Sequence, residues 1–326
     1  MSSAAVRSSP LVTIAIPTFD RFEYLKEAVT SALAQTYEPI EVLIGDDGTS
    51  ESINRWAREL SQSDRRVRYQ RNATNLGLAA NWNALADAAR GDLLIIIGDD
   101  DRLLPDFVKK LVFLIVPFGQ VAFANHYLIN AEGKRLKAES IELTKRYHRQ
   151  DLVAGEQASP AICVWQNAVP MSAALIRTDD VRRLRFKEDL NTPEIEFFAR
   201  LAGEDAKFFF TPDYLSEYRV HSQSATSSGL RGERLVKYLT PIPVSAEVEP
   251  FKRNFMADLL VQSVTNSLQA GDGERAREFL QHEYYPRTAK TSAISLAQNL
   301  CTRLPSSLGS PAYRILRATK SRLLGA

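Results

Sequence analysis

The sequence predicts an α/β fold, a mostly parallel, doubly wound sheet with helices on both faces, followed by a helical C-terminal region. Two observations carry this prediction. Short apolar, β-branched runs alternate with segments of helical period and are joined by short connections. One of these runs, residues 93–97, consists only of leucine and isoleucine, which is typical of a strand buried on both faces.

The first half of the predicted domain, residues 11–105, contains the regular alternation. The strands are expected at the apolar runs, of which the third is the weakest: residues 11–16, 40–45, 67–70 and 93–97. The helices between them keep apolar residues at helical spacing: residues 21–35, 51–60 and 78–89. Thr49 or Ser50 can cap the second of these helices.

The second half of the domain is expected to extend over residues 106–229, between a flexible N-terminus at 1–10 and the helical region at 230–326. Helices are expected at residues 106–116 and 192–202, and a loop that feeds a strand at 167–177. Further strands are expected at residues 120–124, 127–134, 208–211 and 215–221. Residues 138–158 predict no clear element, and residues 222–229 predict a polar linker.

The composition is ordinary for a soluble globular protein, with 44% apolar and 25% charged residues. A net charge of +2 indicates no polyanionic partner, so no nucleic acid is expected. No apolar run is long enough to span a bilayer, and the N-terminus lacks the apolar segment of a signal peptide. We therefore expect a cytoplasmic protein, and the oligomeric state stays open.

The C-terminal tail after Glu283 contains seven Lys and Arg residues and no Asp or Glu. Leu316, Leu323 and Leu324 are interleaved with the basic residues, which predicts a basic amphipathic helix. Such a helix can lie on the anionic inner face of a membrane. A solvated helix, or one packed on a partner, has the same pattern, so these alternatives stay open.

Polar clusters follow the expected strands at their carboxyl ends, where parallel α/β sheets bind ligands. Three adjacent carboxylates, Asp99, Asp100 and Asp101, follow the strand at 93–97. Adjacent carboxylates repel one another, which indicates a cation between them, most simply a hard divalent metal ion. A solvated acidic turn that starts the next helix is the alternative. The other clusters are residues 17–21, 46–48 and 75–77.

Several other sites are disfavoured because their motifs are missing. The chain has no Gly-x-Gly-x-x-Gly loop and no Gly-x-x-x-x-Gly-Lys-Ser/Thr loop, which disfavours dinucleotide cofactors and P-loop hydrolases. An EF-hand that started at Asp99 would need Gly and Glu where the chain has Leu104 and Lys110.

The order and spacing of the polar clusters resemble family-2 glycosyltransferases of the GT-A fold. The resemblance covers roughly residues 10–225 and implies a nucleotide-sugar site on residues 11–105 and an acceptor half on residues 106–229. It also implies a UDP- or dTDP-sugar donor, inversion at the transferred carbon, and Mg²⁺ or Mn²⁺ as cofactor. The segments that carry it are Pro17-Thr18-Phe19-Asp20-Arg21, Asp46-Asp47-Gly48-Thr49-Ser50, Asn75-Leu76-Gly77 and Asp99-Asp100-Asp101.

The resemblance implies roles for single residues by position. Thr18 and Asp46 match the residues that embrace the nucleotide base, and Phe19 stands where an aromatic ring flanks it. Asp99 matches a ribose contact. The implied nucleotide-sugar-binding residues are Pro17, Thr18, Phe19, Asp46, Arg71, Asn75 and Asp99.

The same resemblance implies metal ligands. Relatives often carry Asp-x-Asp-Asp, and alignment on Pro105 puts its first acid at Gly98, which favours Asp100 as the main ligand and keeps Asp101 as a second candidate. Residues 218–224 resemble a closing Tyr-Arg-x-His-x-x-Ser, which implies His221 near the diphosphate or metal. A structural histidine is the alternative.

Glu194 is the implied catalytic base. Alignment on residues 200–202 puts Glu194 at the position of the catalytic Asp, and Pro193 replaces the acid that usually precedes it. Glu196 and Asp189 are the alternative bases, and Glu194 could instead only stabilise the start of its helix. The residues that match the acceptor side are Trp165, Met171 and Ser172.

Together these features predict an inverting, metal-dependent transfer of a sugar to a hydroxyl of a glycan or lipid-linked acceptor, in polysaccharide or glycoconjugate biosynthesis. A nucleotidyltransferase is one alternative, although residues 17–21 lack the Gly-rich loop that such enzymes usually carry. A nucleotide-sugar-binding protein without catalysis is the other, because Pro193 departs from the catalytic pattern.

Overall fold

The computed structural model describes residues 9–116, 118–221, 232–286, 293–304 and 308–316, with the backbone alone at 293–294. The chain divides into two compact units, Met1–Gly229 and Leu230–Ala326. Parts of three sequence predictions lie outside the described residues: residues 1–8 of the flexible N-terminus, the polar linker at 222–229, and residues 317–326 of the basic helix.

One mixed sheet forms the centre of the first unit. Its strands, among the described residues, are β1 (Val12–Thr18), β2 (Ile40–Asp46), β3 (Val67–Arg71), β4 (Leu93–Ile96), β5 (Arg102–Leu103), β6 (Val121–Ile129), β7 (Arg135–Leu136), β8 (Gly155–Glu156), β9 (Ala174–Arg177) and β10 (Phe208–Arg219). Their order is β3-β2-β1-β4-β9-β6-β10-β5, with β7 beside β6 and β8 beside β10. The neighbours β3, β2, β1 and β4 are parallel, as are β6 and β10, whereas β9 is antiparallel to both of its neighbours.

Helices cover the sheet on both faces. In the first unit they are α1 (Phe22–Leu33), α2 (Glu51–Ser63), α3 (Leu78–Ala88), α4 (Phe107–Ile115), α5 (Lys137–Arg146), α6 (Pro160–Trp165), α7 (Thr178–Leu184) and α8 (Pro193–Ala202). Two 3₁₀ turns, Arg149–Asp151 and Met171–Ala173, lie in the connections.

The alternation of side chains along the strands divides the core between the two faces. On one face, Ile14 of β1 and Ile44 of β2 pack in a cluster with apolar residues of α1, α2 and α4. On the other face, a Cβ at Gly45 would lie 2.8 Å from the side chain of Leu85, so α3 packs directly on the backbone of β2. The predicted α/β class with a mostly parallel sheet is therefore confirmed.

The structure differs from the sequence prediction at two long strands. β6 is continuous where two strands were expected, because the polar Asn125 stays in the strand and donates to Pro212 O at 2.9 Å. β10 is likewise continuous, with register shifts between Thr211 and Ser216. The helix α5 was missed because its buried residues are Ser140 and Thr144, which gives no apolar period.

The second unit is helical, as predicted. Its helices are α9 (Gly232–Leu239), α10 (Glu249–Ala270), α11 (Gly273–Gln281) and α12 (Ala293–Thr302), and residues 308–316 are also helical. Within the described ranges, none of the helices has the length and apolar character needed to cross a membrane.

Candidate active site

A cavity of about 760 Å³ opens at the carboxyl ends of β1 and β4. Its walls come from these strand ends, the loop before α3, the start of α8 and the 3₁₀ turn Met171–Ala173. Residues that lie far apart in the sequence therefore meet at one edge of the sheet. The predicted residues that line the cavity are Pro17, Thr18, Phe19, Asn75, Asp99, Asp100, Asp101, Met171, Ser172 and Glu194.

Asp46 and Arg71, two of the predicted nucleotide-binding residues, do not line the cavity but lie next to residues that do. The register of the parallel strands pairs Thr18 with Asp46 and Asp46 with Arg71. Asp46 is fully buried, and its Oδ2 accepts from the Tyr69 hydroxyl at 2.7 Å while its Oδ1 accepts from Gly48 N at 2.9 Å. These contacts hold the Asp-Gly turn at the end of β2 in one conformation.

Asp99 joins the ends of β1 and β4. Its Oδ2 accepts from Thr18 Oγ1 at 2.7 Å and from Phe19 N at 3.4 Å. The side chain of Phe19 stays 51% exposed at the cavity, so its ring is free to stack on a planar ligand. Burial, followed by the charge of Asp100, raises the pKa of Asp99 to about 6.

Arg21 supplies the positive charge that the acidic triplet requires, and sequence reasoning gave it no role. Its Nη1 lies 3.1 Å from Asp99 Oδ1 and 2.7 Å from Asp100 Oδ2. The sequence contained a signal, because a basic residue follows β1 at the sheet edge where three carboxylates follow β4. The positive charge of the guanidinium therefore lowers the repulsion between the Asp99 and Asp100 carboxylates when no ligand is bound.

Asp100 and His221 form a pair of candidate metal ligands. His221 Nε2 lies 3.0 Å from Asp100 Oδ2, and both side chains are largely buried. This separation suits two adjacent ligands of one divalent ion, since carboxylate and imidazole are both common ligands. No group of three or more His, Cys, Asp and Glu in the described ranges has the geometry of a complete site. Mg²⁺ is typically bound through one or two carboxylates and completes its shell with water and substrate phosphates, so Asp100 fits a metal shared with a diphosphate. His221 does not line the cavity, but its contact with Asp100 lets it add a nitrogen ligand beside that carboxylate.

Asp101 is anchored to the end of β10. Its Oδ1 accepts from Arg219 N at 2.9 Å, and Arg219 Nε donates to Asp100 O at 2.7 Å. Burial and the charge of Asp100 raise the pKa of Asp101 well above its usual value. A Cβ at Gly98 would lie 2.6 Å from Asp100 Oδ1, so an acidic residue at this position would require the Asp100 carboxylate to shift.

Asp47 holds the loop that carries Asn75 at the cavity. Its Oδ1 accepts from Leu76 N and its Oδ2 accepts from Gly77 N, each at 2.8 Å. Gly77 has φ = +84°, a backbone conformation that favours glycine. The loop is therefore fixed by a buried carboxylate, and Asn75 presents its side chain from a defined position.

Asp20 binds the neighbouring turn. Its Oδ1 accepts from Thr49 N at 2.9 Å and from Ser50 N at 2.8 Å, at the start of α2. A carboxylate suits this place because the backbone N–H groups at a helix start attract negative charge. Asp20 therefore connects the end of β1 to the turn that follows β2.

Glu194 carries the features expected of a general base. It lies in the first turn of α8 and lines the cavity, and its Oε2 is buried without a hydrogen-bond partner among the described residues. Burial raises the pKa of Glu194 to about 7. A carboxylate with a pKa near neutrality can take a proton from a hydroxyl at physiological pH.

The alternative bases are placed differently. Glu196 is 2% exposed and forms a two-point ion pair with Arg200, with Nε–Oε1 at 2.6 Å and Nη2–Oε2 at 2.8 Å. Arg200 also donates to Leu184 O at 2.9 Å, so this pair fixes α8 to the preceding turn. Neither Glu196 nor Asp189 lines the cavity, and Trp165 of the acceptor-side prediction does not line it either.

Sequence reasoning missed two buried basic side chains that line the same cavity, His126 and Arg149. His126 lies in β6 within the apolar run, and Arg149 lies in the segment 138–158 for which no element was predicted. His126 Nδ1 and Arg149 Nη2 are buried without a partner among the described residues. Only the fold brings them together, so the sequence offered no signal for them.

A family model and known proteins match this chain. Residues 13–167 match the model of Glycosyl transferase family 2. The chain is 23% identical over 224 residues to the GalNAc(5)-diNAcBac-PP-undecaprenol beta-1,3-glucosyltransferase of Campylobacter jejuni, with 68% of each chain covered.

Solved structures share the fold. The structure of S. aureus TarS 1-349 in complex with UDP-GlcNAc superposes with a TM-score of 0.67 at 13% identity, covering 95% of this chain and 91% of the TarS 1-349 chain. The mannosyltransferase PcManGT of Pyrobaculum calidifontis, in complex with GDP-Man and Mn²⁺, superposes with a TM-score of 0.59 at 14% identity, covering 98% and 82%. The matching domain, the relative and the fold agree with the geometry at the sheet edge. Residues 13–167 are therefore a family-2 glycosyltransferase domain, and the chain is a glycosyltransferase enzyme with the GT-A fold.

Proposed function

We propose that the chain transfers a sugar from a UDP- or dTDP-sugar to a hydroxyl group with inversion at the anomeric carbon. The observation that carries this proposal is the shared cavity, which has a carboxylate edge for a nucleotide diphosphate and, separately, the unpartnered Glu194 carboxylate. The first feature suits the leaving group, and the second suits deprotonation of the attacking hydroxyl.

The nucleotide is held at the ends of β1, β2 and β3 in this proposal. Pro17, Thr18 and the exposed ring of Phe19 form the surface for the base. Asp46 and Arg71 stabilise the strand ends that carry this surface, because the register places Asp46 beside Thr18 and Arg71 beside Asp46. The ribose hydroxyls lie at Asp99, and the loop with Asn75, held by Asp47, covers the nucleotide.

Asp100 and His221 are the residues that would hold the divalent cation, Mg²⁺ or Mn²⁺, together with the donor's phosphates. When bound, this cation neutralises the negative charge that grows on the β-phosphate as the leaving group departs. Arg21 already contacts Asp100 Oδ2 and adds a second positive charge at the same place. The described contact of Asp101 to Arg219 N favours an anchoring role, and Asp101 stays a second candidate ligand through its other oxygen.

Glu194 accepts the proton of the acceptor hydroxyl in the chemical step. The acceptor oxygen forms a bond to the anomeric carbon while the bond from that carbon to the phosphate oxygen breaks. The electron pair of the broken bond stays on the diphosphate, and the proton stays on Glu194. General-base catalysis of this kind typically contributes about 10² to 10⁴-fold.

The acceptor is proposed to be a glycan or a lipid-linked glycan, in polysaccharide or glycoconjugate biosynthesis. Support comes from the Campylobacter relative, whose name describes an undecaprenol-linked acceptor. Met171 and Ser172 line the acceptor side of the cavity. The two alternative functions lose support, because the family match indicates glycosyl transfer rather than nucleotidyl transfer and Glu194 has the environment of an active base.

The second unit carries an exposed leucine face, which we define as Leu296, Leu300, Leu304 and Leu308. The exposed fractions are 63% for Leu296, 62% for Leu300 and 60% for Leu308. The buried side of α12 is instead polar, since Gln298 is fully buried and donates to Val261 O at 2.7 Å and to Thr265 Oγ1 at 2.8 Å. α12 therefore turns its leucines outward and its polar residues inward, the reverse of a solvated surface helix.

This leucine face is proposed to lie on the anionic inner surface of a membrane, with the enzyme in the cytoplasm. Charge complementarity selects a membrane as the occupant, because the tail after Glu283 has seven basic residues and no acidic residue. Apolar insertion and basic attraction act together at such surfaces. A membrane contact would keep the enzyme beside a lipid-linked acceptor.

The proposed function is tested by metal-dependent release of UDP or dTDP from a panel of nucleotide sugars in the presence of Mn²⁺ or of EDTA. At least one sugar nucleotide should be turned over in the presence of Mn²⁺ but not in EDTA. Glu194→Gln should reduce that turnover by about 10²-fold or more. Turnover that is equal in wild type and Glu194→Gln would remove Glu194 as the base. Absence of turnover and of nucleotide binding throughout the panel would overturn the function.

A further inference from the structure

Arg149 is a buried guanidinium on the wall of the transfer cavity. The side chain is 1% exposed and lies in the 3₁₀ turn that follows α5. Its Nε donates to Asn125 Oδ1 at 3.0 Å, and Asn125 is itself fixed by its donation to Pro212 O at 2.9 Å. The ring of Tyr147 lies 5.5 Å from the guanidinium carbon. The guanidinium is therefore held in one position from one side, by neutral groups.

Nη2, on the other side of the guanidinium, is buried without a hydrogen bond among the described residues, and none of the ion pairs in that part of the chain includes Arg149. His126, which lines the same cavity, also has a buried Nδ1 without a partner. The charged and titratable groups that act on Arg149 are the hydroxyls of Tyr147 and Tyr214, and the charge of Arg149 in turn acts on His126. Two residues that line one cavity thus each have a buried polar atom without a partner among the described residues.

A buried charge without a counterion is costly, and proteins usually pair such groups with a carboxylate. Burial lowers the pKa of Arg149 to about 10, so the guanidinium still carries its charge at neutral pH. Burial also lowers the pKa of His126 to about 3, which leaves the imidazole neutral and able to donate one hydrogen bond. A guanidinium with a free N–H edge is complementary to the two oxygens of a carboxylate or phosphate.

We propose that Arg149 and His126 form an anion subsite of the transfer cavity, which binds a phosphate or carboxylate group of a substrate. The assignment of that anion to a substrate of sugar transfer rests on the proposed function, whereas the binding of an anion at Arg149 does not. Arg149 Nη2 and the neutral His126 ring donate to the anion, and Asn125 keeps the guanidinium in place. The anion belongs either to the acceptor, as a phosphate, or to the donor sugar, as a carboxylate.

The subsite is tested with inorganic sulfate as the probe on the full chain. Thermal unfolding is followed while sulfate replaces chloride at constant ionic strength, once without nucleotide and once with UDP and Mn²⁺ at saturation. Arg149→Gln is the test variant, because its side-chain amide can still donate to Asn125. Lys145→Gln is the matched control, since Lys145 lies on α5 outside the cavity and is paired with Glu142.

The subsite predicts saturable stabilisation by millimolar sulfate in wild type and in Lys145→Gln, with at least a tenfold loss of sulfate affinity in Arg149→Gln. Equal sulfate responses in all three proteins would overturn the proposal. If Arg149→Gln fails to fold, His126→Phe is used in its place, and an unchanged sulfate affinity in that variant contradicts the subsite as well. The run without nucleotide keeps this test valid even where UDP does not bind.

The source of the anion is separated by titration of UDP-glucose and UDP-glucuronate with Mn²⁺. A donor carboxylate predicts about tenfold tighter binding of UDP-glucuronate by wild type and loss of this preference in Arg149→Gln. An acceptor phosphate predicts equal affinity for the two donors, together with sulfate stabilisation of the UDP-saturated protein that depends on Arg149. A preference for UDP-glucuronate that persists in Arg149→Gln would contradict the binding of a donor carboxylate at Arg149.

Discussion

Arg21 Nη1 lies 2.7 Å from Asp100 Oδ2, the carboxylate oxygen that His221 Nε2 also approaches, to 3.0 Å. The guanidinium of Arg21 and the imidazole of His221 thus contact the same carboxylate oxygen of Asp100, at the end of β4. Because Arg21 also contacts Asp99, it offsets the repulsion within the acidic triplet before any ligand binds.

Removal of Arg21 is expected to make the stability of the protein dependent on metal. Arg21→Gln should lower the free energy of unfolding in EDTA by about 1 to 3 kcal/mol, since it leaves largely buried carboxylates without their counter-charge. Mn²⁺ should then stabilise the variant more than it stabilises wild type. Thermal unfolding with EDTA and with Mn²⁺ measures both effects.

The matched control for this experiment is Arg183→Gln, which removes an exposed ion pair to Glu204 of similar length, 2.7 Å. An exposed pair should contribute less than about 1 kcal/mol, and Mn²⁺ should stabilise Arg183→Gln as much as it stabilises wild type. If Arg21→Gln and Arg183→Gln behaved alike, the counterion role of Arg21 would be wrong.

The pH dependence of turnover is expected to follow Glu194. The base must be ionised, and burial raises the pKa of Glu194 to about 7, so kcat/KM for donor turnover should rise with pH through about 7 and then level off. Glu194→Asp should retain part of the activity, and the rising part of its pH profile should be shifted relative to that of wild type. A wild-type profile that is flat between pH 5 and pH 9 would contradict the assignment of the base.

The same carboxylate is expected to reduce stability at alkaline pH. Its folded pKa lies above its unfolded value of about 4.5, so the folded state holds the proton more tightly and stability falls as pH rises from about 4.5 through 7. Glu194→Gln carries no charge and should therefore be more stable than wild type at pH 8, by about 1 to 3 kcal/mol, and similar to it at pH 4. Chemical unfolding at the two pH values measures the difference.

In this stability experiment the control is Glu188→Gln, since Glu188 precedes α8 and does not line the cavity. A destabilised Glu194→Gln at pH 8 would mean that the Glu194 carboxylate has a partner in solution. The base assignment would then lose its physical support.

Loss of the leucine face is expected to release the protein from membranes. Leu296→Glu with Leu300→Glu should reduce sedimentation with phosphatidylglycerol vesicles at least tenfold, because it removes apolar contact and adds negative charge. Ile141→Glu is the control, since Ile141 is also half-exposed but lies on α5 in the first unit. Phosphatidylcholine vesicles should bind wild type more weakly.

Two results would contradict the membrane contact. Equal vesicle binding by wild type and the double variant would mean that the leucine face is not involved. A wild-type dimer that dissociates in the double variant, without any vesicle binding, would assign the face to a second copy of the chain.

The sequence predicted which candidate residues lie together at one edge of the sheet to the extent that strand ends determine this placement. Thr18, Asp46 and Arg71 could be brought together because parallel strands end at one edge, and the register of β1, β2 and β3 aligns them. The pairing of Arg21 with Asp100 could not be predicted, because it depends on the conformation of a long side chain reaching across from β1 to β4. Arg149 was missed for another reason. The buried side of α5, the helix that precedes it, is polar, so the sequence shows no apolar period there that would predict the helix.

Isothermal titration of UDP and of dTDP, with and without Mn²⁺, tests whether Asp99, Asp100 and His221 receive a nucleotide diphosphate together with a divalent metal. Mn²⁺ should tighten the binding of at least one of the two nucleotides to wild type. Asp100→Asn should lose that effect at least tenfold, whereas Asp101→Asn should keep it because asparagine can still accept from Arg219 N. Nucleotide binding that is indifferent to Mn²⁺, or that survives Asp100→Asn with its metal dependence intact, would contradict the account.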